Sequence, residues 1–334
     1  MHQLDRGTFV EPSSRTFGEF LTSQWLPAVR ARVREGTADY YSQNVHRYVL
    51  PRLGSVPLHG VTPSMLNDLY AELLANGRAD GRGGLSGITV GHVHRVLHKA
   101  LGDAVRWGEA SRNAADLTKP PRSRSPEMRV WQAEQLGAFL SHDQVLGDRL
   151  HAAWLLLCTT GMRRGEVLGL RWTDIDLDVR RLSVRQAVIV VDSKPVVSQT
   201  KTAKGRRSLA LDEGTISTLR SHRARQLQER LSWGAAWTDL GLVFAQENGQ
   251  PVHPTAFTKR FQRLVRYVGL PGIRLHDLRH SYATAALVAG VPAKVVSERL
   301  GHANVGVTLD TYSHVLPSMD EQAAAVVARL ILGC

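Results

Sequence analysis

Cysteine is almost absent from this chain. The two present are Cys158, inside an apolar run, and Cys334, the last residue. Neither a disulfide framework nor a thiolate metal site has the residues it needs, and a reducing cytoplasm is the compartment this usage fits. Long hydrophobic stretches are absent too. "AWLLLC" (153–158) is far too short to span a bilayer, and the first residues lack the apolar segment of a secretion signal. There is no HExxH, no Walker A and no Rossmann fingerprint, and no internal repeat or low-complexity tract. "TDIDLD" spaces Asp174, Asp176 and Asp178 like the start of a calcium loop. The glycine required next is Val179 and the acid at the twelfth position is Arg185, so the segment reads as a solvated strand edge with no metal. Acidic residues are also in deficit, with 30 Asp and Glu against 42 Lys and Arg, a net charge of +12 and a pI near 10.2. Cut near residue 124, each part keeps a basic excess. A long polyanion touched by both parts is the partner this distribution suits, nucleic acid first.

A chain of 334 residues is long enough for two domains. Residues 1–15 show no periodicity and read as a leader. "TFGEFLTSQWLPAVRARV" opens on a capping box, Thr16 with Glu19, and puts Phe17, Phe20, Leu21 and Trp25 on one helix face. Helices are expected next near 37–50, from "TPSMLNDLYAELLANG" with Pro63 in its first turn and Gly77 past its end, and near 88–107. The spacing therefore predicts an all-helical domain of four helices over 16–115. "TKPPRSRSPEM" (118–128) has the composition of an extended linker, placed at 116–128. Its Lys119, Arg122 and Arg124 either follow a phosphate backbone or only keep the segment soluble. Over 129–334 the pattern is α+β: helices near 131–140 and 147–160, Val- and Ile-rich strands broken by the turn candidates "DSKP" and "KTAKG", and helices again from 213. The expected class is mainly α with a small antiparallel sheet.

Polar residues that this pattern does not require cluster in four segments of the second domain. In "GMRRGE", Arg163 and Glu166 share a helix face. In "QTKTAKGRR", Lys201 is expected at a hairpin tip with Lys204, Arg206 and Arg207 behind it as DNA-contacting cations. In "HDLRH", His276 and Arg279 share a face and His280 adjoins them; a common anionic ligand accounts for imidazoles beside a guanidinium. "LGH" ends on His302, and "TLDTYSH" sets Tyr312 between Asp310 and His314, which shape a turn around it. Cations and imidazoles suit the oxygens around a phosphorus, and a tyrosine hydroxyl can attack it.

The ordered set "GMRRGE", "TKT", "HDLRH", "LGH" and "DTYSH" resembles the tyrosine recombinase (phage integrase) family over roughly residues 16–330. The resemblance implies a SAM-like core-binding domain and a catalytic domain closing as a C-shaped clamp on double-stranded DNA. It also implies Arg163 and Arg279 as catalytic arginines, Lys201 as proton donor to the leaving 5′ oxygen, His276 and His302 as active-site histidines, Glu166 as the supporting acid and Tyr312 as nucleophile. His276 is the expected general base. The implied product is a 3′-phosphotyrosyl link, made without metal, ATP or other cofactor by a tetramer on paired sites, with DNA-bending proteins as possible accessories. "LPSMDEQAAAVVARLILGC" (316–334) then reads as a helix carrying Ala324, Val327, Leu330 and Ile331 as an apolar stripe, docked on a neighbouring subunit or on its own domain. A bacterial, nucleoid-associated integrase of a phage or mobile element is the first reading, and an Xer-type recombinase resolving chromosome or plasmid dimers the second. Only about 14 residues precede Thr16, which puts arm-site binding in doubt and leaves open a truncated chain or an internal starting methionine. A type IB topoisomerase and a non-catalytic DNA-binding factor are the rivals outside recombination.

Overall fold

The computed structural model describes residues 15–122, 128–199, 206–312 and 327–332. The chain divides into two compact units, Met1–Glu127 and Met128–Cys334.

In the first unit the Thr16 capping box forms as expected: the Glu19 N–H donates to Thr16 Oγ1 (3.2 Å) and the Thr16 N–H to Glu19 Oε2 (2.8 Å). It starts helix α1 (17–30); α2 (35–53), α3 (Pro63–Asn76) and α4 (Gly87–Arg106) follow. Two turns widen to π geometry, Phe20–Trp25 and Val45–Val49, and each runs directly into a segment with proline in its first turn, Pro27 and Pro51. A proline inside a helix lacks the N–H and crowds the carbonyl four residues back. A widened turn before it relieves both faults without ending the helix. Thr62 and Ser86 cap α3 and α4 through the Met65 (3.3 Å) and Thr89 (3.2 Å) N–H groups.

Phe17, Phe20, Leu21 and Trp25 are buried against Leu66, Leu69, Leu73, Val93, Leu97 and Leu101. Each such side chain contributes about 1.5–3 kcal/mol. The polar ends of its aromatics are satisfied: Trp25 Nε1 donates to buried Asp103 (2.8 Å), and Tyr70 Oη meets His94 Nδ1 at 2.9 Å. The stretch expected as linker from 116 begins inside this unit: Ala114, Ala115 and Thr118 are buried, and Asp116 meets His98 at 2.9 Å. Lys119 and Arg122 are exposed beyond it; Arg124 and the leader residues 1–14 lie outside the described residues.

Among the described residues, the second unit packs helices α5 (Ala133–Ser141), α6 (His151–Thr160), α7 (Arg164–Leu168), α8 (Glu213–Trp233), α9 (Pro254–Val268), α10 (Asp277–Val288), α11 (Ala293–Leu300) and α12 (Val305–Tyr312) with five short strands. Its core holds the aromatics Trp131, Phe139, Trp154, Phe257 and Phe261, the Trp154 and Phe257 rings stacked at 4.2 Å. α6 starts later than 147; Asp148 braces the turn before it, accepting from the Leu150 N–H (2.8 Å) and Trp154 Nε1 (3.2 Å).

Strands β1 (Ile175–Asp176), β2 (Arg181–Val184) and β5 (Arg207–Ala210) form one antiparallel sheet in the order β1-β2-β5, and β3 (Gln186–Val191) pairs antiparallel with β4 (Lys194–Gln199). The "DSKP" turn is there: Asp192 and Ser193 both take positive φ, 45° and 62°, and join β3 to β4 as a two-residue hairpin. The second expected turn, "KTAKG" with Lys201, falls on residues outside the described ones. Gln199 leaves the ladder opposite Gln186, and Arg207 resumes it opposite Val184. The strands flanking Lys201 therefore pair with β3 and β2 rather than with each other, and Lys201 and Lys204 themselves lie outside the described residues. Residues 327–332 are helical, with Leu330 84% exposed; the preceding part of the expected stripe, Ala324 included, lies outside the described residues. No helix among the described residues is long and apolar enough to cross a membrane.

Candidate active site

Four chain segments converge on one polar cluster: the α6–α7 turn, the start of β5, the first turns of α10 and the α11–α12 region. α6 ends on Gly161 at φ 65°, and a Cβ there would stand 2.4 Å from the Tyr282 ring and 2.7 Å from Leu300. Only glycine fits, and the fit aims the Gly161 carbonyl inward. Arg279 on α10 donates to that carbonyl (Nη1, 2.8 Å) and to the Leu300 carbonyl (Nη2, 2.7 Å). Both acceptors end helices, so the negative dipole ends of α6 and α11 face a guanidinium that is 4% exposed. Burial and the neighbouring Arg163 charge pull Arg279 down to about 9, which leaves it cationic at neutral pH.

Arg163 is the N-cap of α7 and is tied to Glu166 twice, backbone N–H to Oε2 (2.9 Å) and Nη1 to Oε1 (2.8 Å). Its side chain remains 43% exposed. Glu166 is buried and also accepts from Arg207, Nη1 at 3.2 Å and Nη2 at 2.8 Å. Burial alone would push this carboxyl up; the hydrogen bonds and charges of Arg207 and Arg163 overcome it and hold Glu166 at about 2.

Arg207 departs from the expected DNA contact. Its side chain is 7% exposed, committed to Glu166 and, through Nε, to the Arg299 carbonyl at 2.5 Å. The signal was in the strand period: Arg207 lies two residues before buried Leu209 on β5 and so shares its inner face. Arg207→Ala leaves Glu166 with a single cationic partner, and a loss of about 3 kcal/mol is expected, read as a lowered denaturation midpoint. Arg206 is exposed beside it.

His276, Arg279 and His280 share the start of α10. His276 is exposed, and its ring stands edge-on to His280 at 5.1 Å. The imidazole hydrogen-bonded to Tyr312 is that of His280, with Nδ1 and Tyr312 Oη 2.8 Å apart. No such contact supports the general-base role expected of His276. His302 sits between α11 and α12, its Nδ1 hydrogen-bonded to Thr308 Oγ1 (2.8 Å). Burial, with the charges of Arg279, Arg163, His280 and Arg207, brings His302 to about 4, which places it among these groups.

Tyr312 lies on α12 rather than in a turn and is its last described residue, and Asp310 is exposed on the same helix; His314 lies outside the described residues. Tyr312 is 1% exposed and packs with Ala283, Leu287, Val296 and Leu300. Burial raises its hydroxyl to about 12, against the opposing pull of Arg279. Asp174 of the "TDIDLD" segment is engaged by Arg171 (2.9 and 3.1 Å).

Buried His222 and half-buried His280 and His302 tie stability to pH. His222, whose Nε2 meets the Val243 carbonyl at 2.8 Å, and His280 and His302 are each held near 4 chiefly by burial, against an ordinary value of 6.5. Between those values the unfolded chain binds protons that the folded chain refuses, so stability falls as pH drops from 6.5 toward 4. Urea midpoints measured across that range are expected to decrease, with a shallower decrease in His222→Asn.

The sequence profile of the phage integrase family matches residues 127–319, and that of the phage integrase N-terminal SAM-like domain matches residues 16–74. Over 350 residues the chain is 27% identical to a protein of Caldanaerobacter subterraneus subsp. tengcongensis described as tyrosine recombinase XerC-like, covering 99% of this chain and 88% of that one. It is 27% identical over 318 residues to the integrase of Mycobacterium phage D29, covering 93% and 78%. Among solved structures, the Tn1549 transposon integrase in complex with transposon right end DNA superposes with a TM-score of 0.73 at 22% identity, over 92% of this chain and 99% of that one. The structural likeness is one of fold, whereas the family profile spans more than half the chain. The chain belongs to the phage integrase family.

Proposed function

We propose that this protein is a site-specific DNA recombinase that cuts and rejoins strands through a 3′-phosphotyrosyl intermediate on Tyr312, working as the integrase of a phage or mobile element. The observation that carries the reading is Arg279. A buried guanidinium whose hydrogen bonds among the described residues go to two helix-end carbonyls has its charge only partly balanced, and a phosphodiester completes it. Arg163, anchored by Glu166 yet open to solvent, supplies the second cation, and His302 offers Nε2 to a phosphate oxygen.

These donors are set before substrate arrives, so they stabilise the negative charge that gathers on the pentacoordinate phosphorus without reorganising. Tyr312 forms the new O–P bond, and the departing 5′ oxygen takes a proton from Lys201. Because Tyr312 is covered in the resting protein, α12 shifts before its oxygen meets phosphorus. The link conserves the bond energy, so a partner strand's 5′ hydroxyl reverses the step with neither ATP nor a metal ion, and exchange of four strands calls for a tetramer.

The XerC-like description of the Caldanaerobacter relative supports dimer resolution as the second reading. The test is a nicked duplex carrying the DNA that flanks the gene, incubated with the protein and run on a denaturing gel. A retarded protein–DNA band is expected. Tight binding with no covalent band would favour a DNA-binding factor and sink the enzymatic reading.

A further inference from the structure

We infer that the outer face of the β2–β5 pair is a second phosphate site, seating a DNA backbone phosphate other than the one that reacts, an inference that rests on the recombinase reading above. Ser183 pairs opposite Ser208 across these strands, and Val184 opposite Arg207. Alternation along a strand turns buried Leu182 and Leu209 into the core and the two serines outward. Arg185 and Arg206, the next residues beyond the last ladder pair, are exposed. With Arg171 and the serines they border an open cleft of about 450 Å³, and no carboxylate among the described residues lines it.

Charge around this cleft is out of balance. Asp174, its side chain 1% exposed, takes both Arg171, at 2.9 and 3.1 Å, and Arg185, at 3.6 Å. Glu166, reached by Arg207 from the cleft wall, likewise also serves Arg163. Two carboxylates thus answer four guanidiniums. The exposed acids of the same sheet lie at its other end, Asp176 opposite Arg181 and Asp178 3.4 Å from Arg220. A planar guanidinium has five N–H groups, so Asp174 fixes Arg171 in place and leaves donors for a second acceptor. The Ser208 hydroxyl accepts from Arg181 Nε (3.1 Å) and so keeps its own proton to donate. Guanidiniums beside hydroxyls are the donors that backbone phosphates take. Position favours DNA over a free anion. Both described ends of the segment that carries Lys201 fall here: Gln199 pairs with Gln186, which lines the cleft, and Arg206 borders it. A strand whose reacting phosphate sits on Arg163 has another about every 3.4 Å of helix axis to place on this face.

The test is DNA affinity by fluorescence anisotropy, on the flanking duplex and on an unrelated duplex of equal length. Arg185→Gln/Arg206→Gln is expected to bind about tenfold more weakly or worse, by the same factor on both, because phosphate contacts carry no sequence information. Its slope of log affinity against log salt is expected to be shallower by about 0.9, the share of one phosphate. Ser183→Ala/Ser208→Ala changes no charge and is expected to weaken binding about fivefold. An arginine pair within about twofold of wild type with an unchanged slope overturns the inference. A serine pair that binds like wild type reduces the arginines to a diffuse field and overturns it too. Because the seated phosphate does not react, slower adduct formation by the arginine pair is expected to recover at saturating protein; a rate that stays about tenfold down there puts these arginines on the reacting phosphate and overturns the inference. Free phosphate is the other source of the same chemistry. If inorganic phosphate at fixed ionic strength raises the melting temperature of wild type but not of the arginine pair, while both bind DNA alike, the site takes a free anion and the DNA assignment falls. Failure of the recombinase reading shows separately, as wild type that binds the duplex and forms no covalent band, and the affinities still decide the site.

Discussion

Tyr312→Phe is expected to fold and to form no covalent bond with DNA. The ring that fills the space between Leu287, Val296 and Leu300 is retained, so the core keeps its packing. The loss is one hydrogen bond, which leaves His280 Nδ1 without its partner and costs about 1 kcal/mol. Thermal denaturation is therefore expected to move by only a few degrees while the adduct disappears from denaturing gels. A variant that still yields the full adduct places the nucleophile elsewhere. This separation of stability from chemistry distinguishes a buried nucleophile from a buried aromatic that serves packing alone.

Arg279→Gln is the second change with a large expected effect. Each cationic donor to a transition-state oxygen contributes on the order of a hundredfold to a thousandfold in rate, and Arg279 is the more fixed of the two arginines because both terminal nitrogens are held by helix-end carbonyls. Cleavage is expected to slow by about that factor or more. Stability responds less than it does to Arg207→Ala, because Arg279 has no carboxylate hydrogen-bonded to it among the described residues to strand, whereas Arg207 leaves Glu166 underpaired. Comparing denaturation midpoints and single-turnover rates for the two variants checks both halves: the account requires Arg279→Gln to be the slower enzyme and Arg207→Ala the less stable protein. The reverse order would mean that the structural and catalytic cations have been exchanged.

Local signals carried much of the fold. The Thr16–Glu19 capping box, Pro63 and Gly77 at the ends of α3 and the apolar period between such signals located the helices of the first unit, because a helix is decided by neighbours a turn apart. The residues of the polar cluster were legible for a different reason: Arg163, Glu166, His276, Arg279, His302 and Tyr312 are chemistry-bearing side chains that no helix or strand pattern required. Contacts between distant segments were not legible. That β5 returns to β2 rather than to β4 depends on register across an intervening hairpin, and nothing in "KTAKG" itself reports it. The commitment of Arg207 to Glu166 follows from that pairing, with only the alternation toward Leu209 as a local clue. Likewise His276 and His280 are equivalent on a helical wheel, one turn apart, and only the packing of α12 decides which meets Tyr312. The widened turns before Pro27 and Pro51 belong between these cases, since the proline rule announces a disturbance there without saying that the helix absorbs it.

The central claim is a bond between Tyr312 and a DNA 3′ phosphate. The direct measurement is to trap the protein on a nicked duplex, digest the adduct with nuclease and trypsin, and sequence the modified peptide by tandem mass spectrometry. The account predicts a single nucleotide-bearing residue, Tyr312, linked through a 3′ phosphate. A nucleotide on any other side chain, or a 5′ linkage on Tyr312, would contradict it.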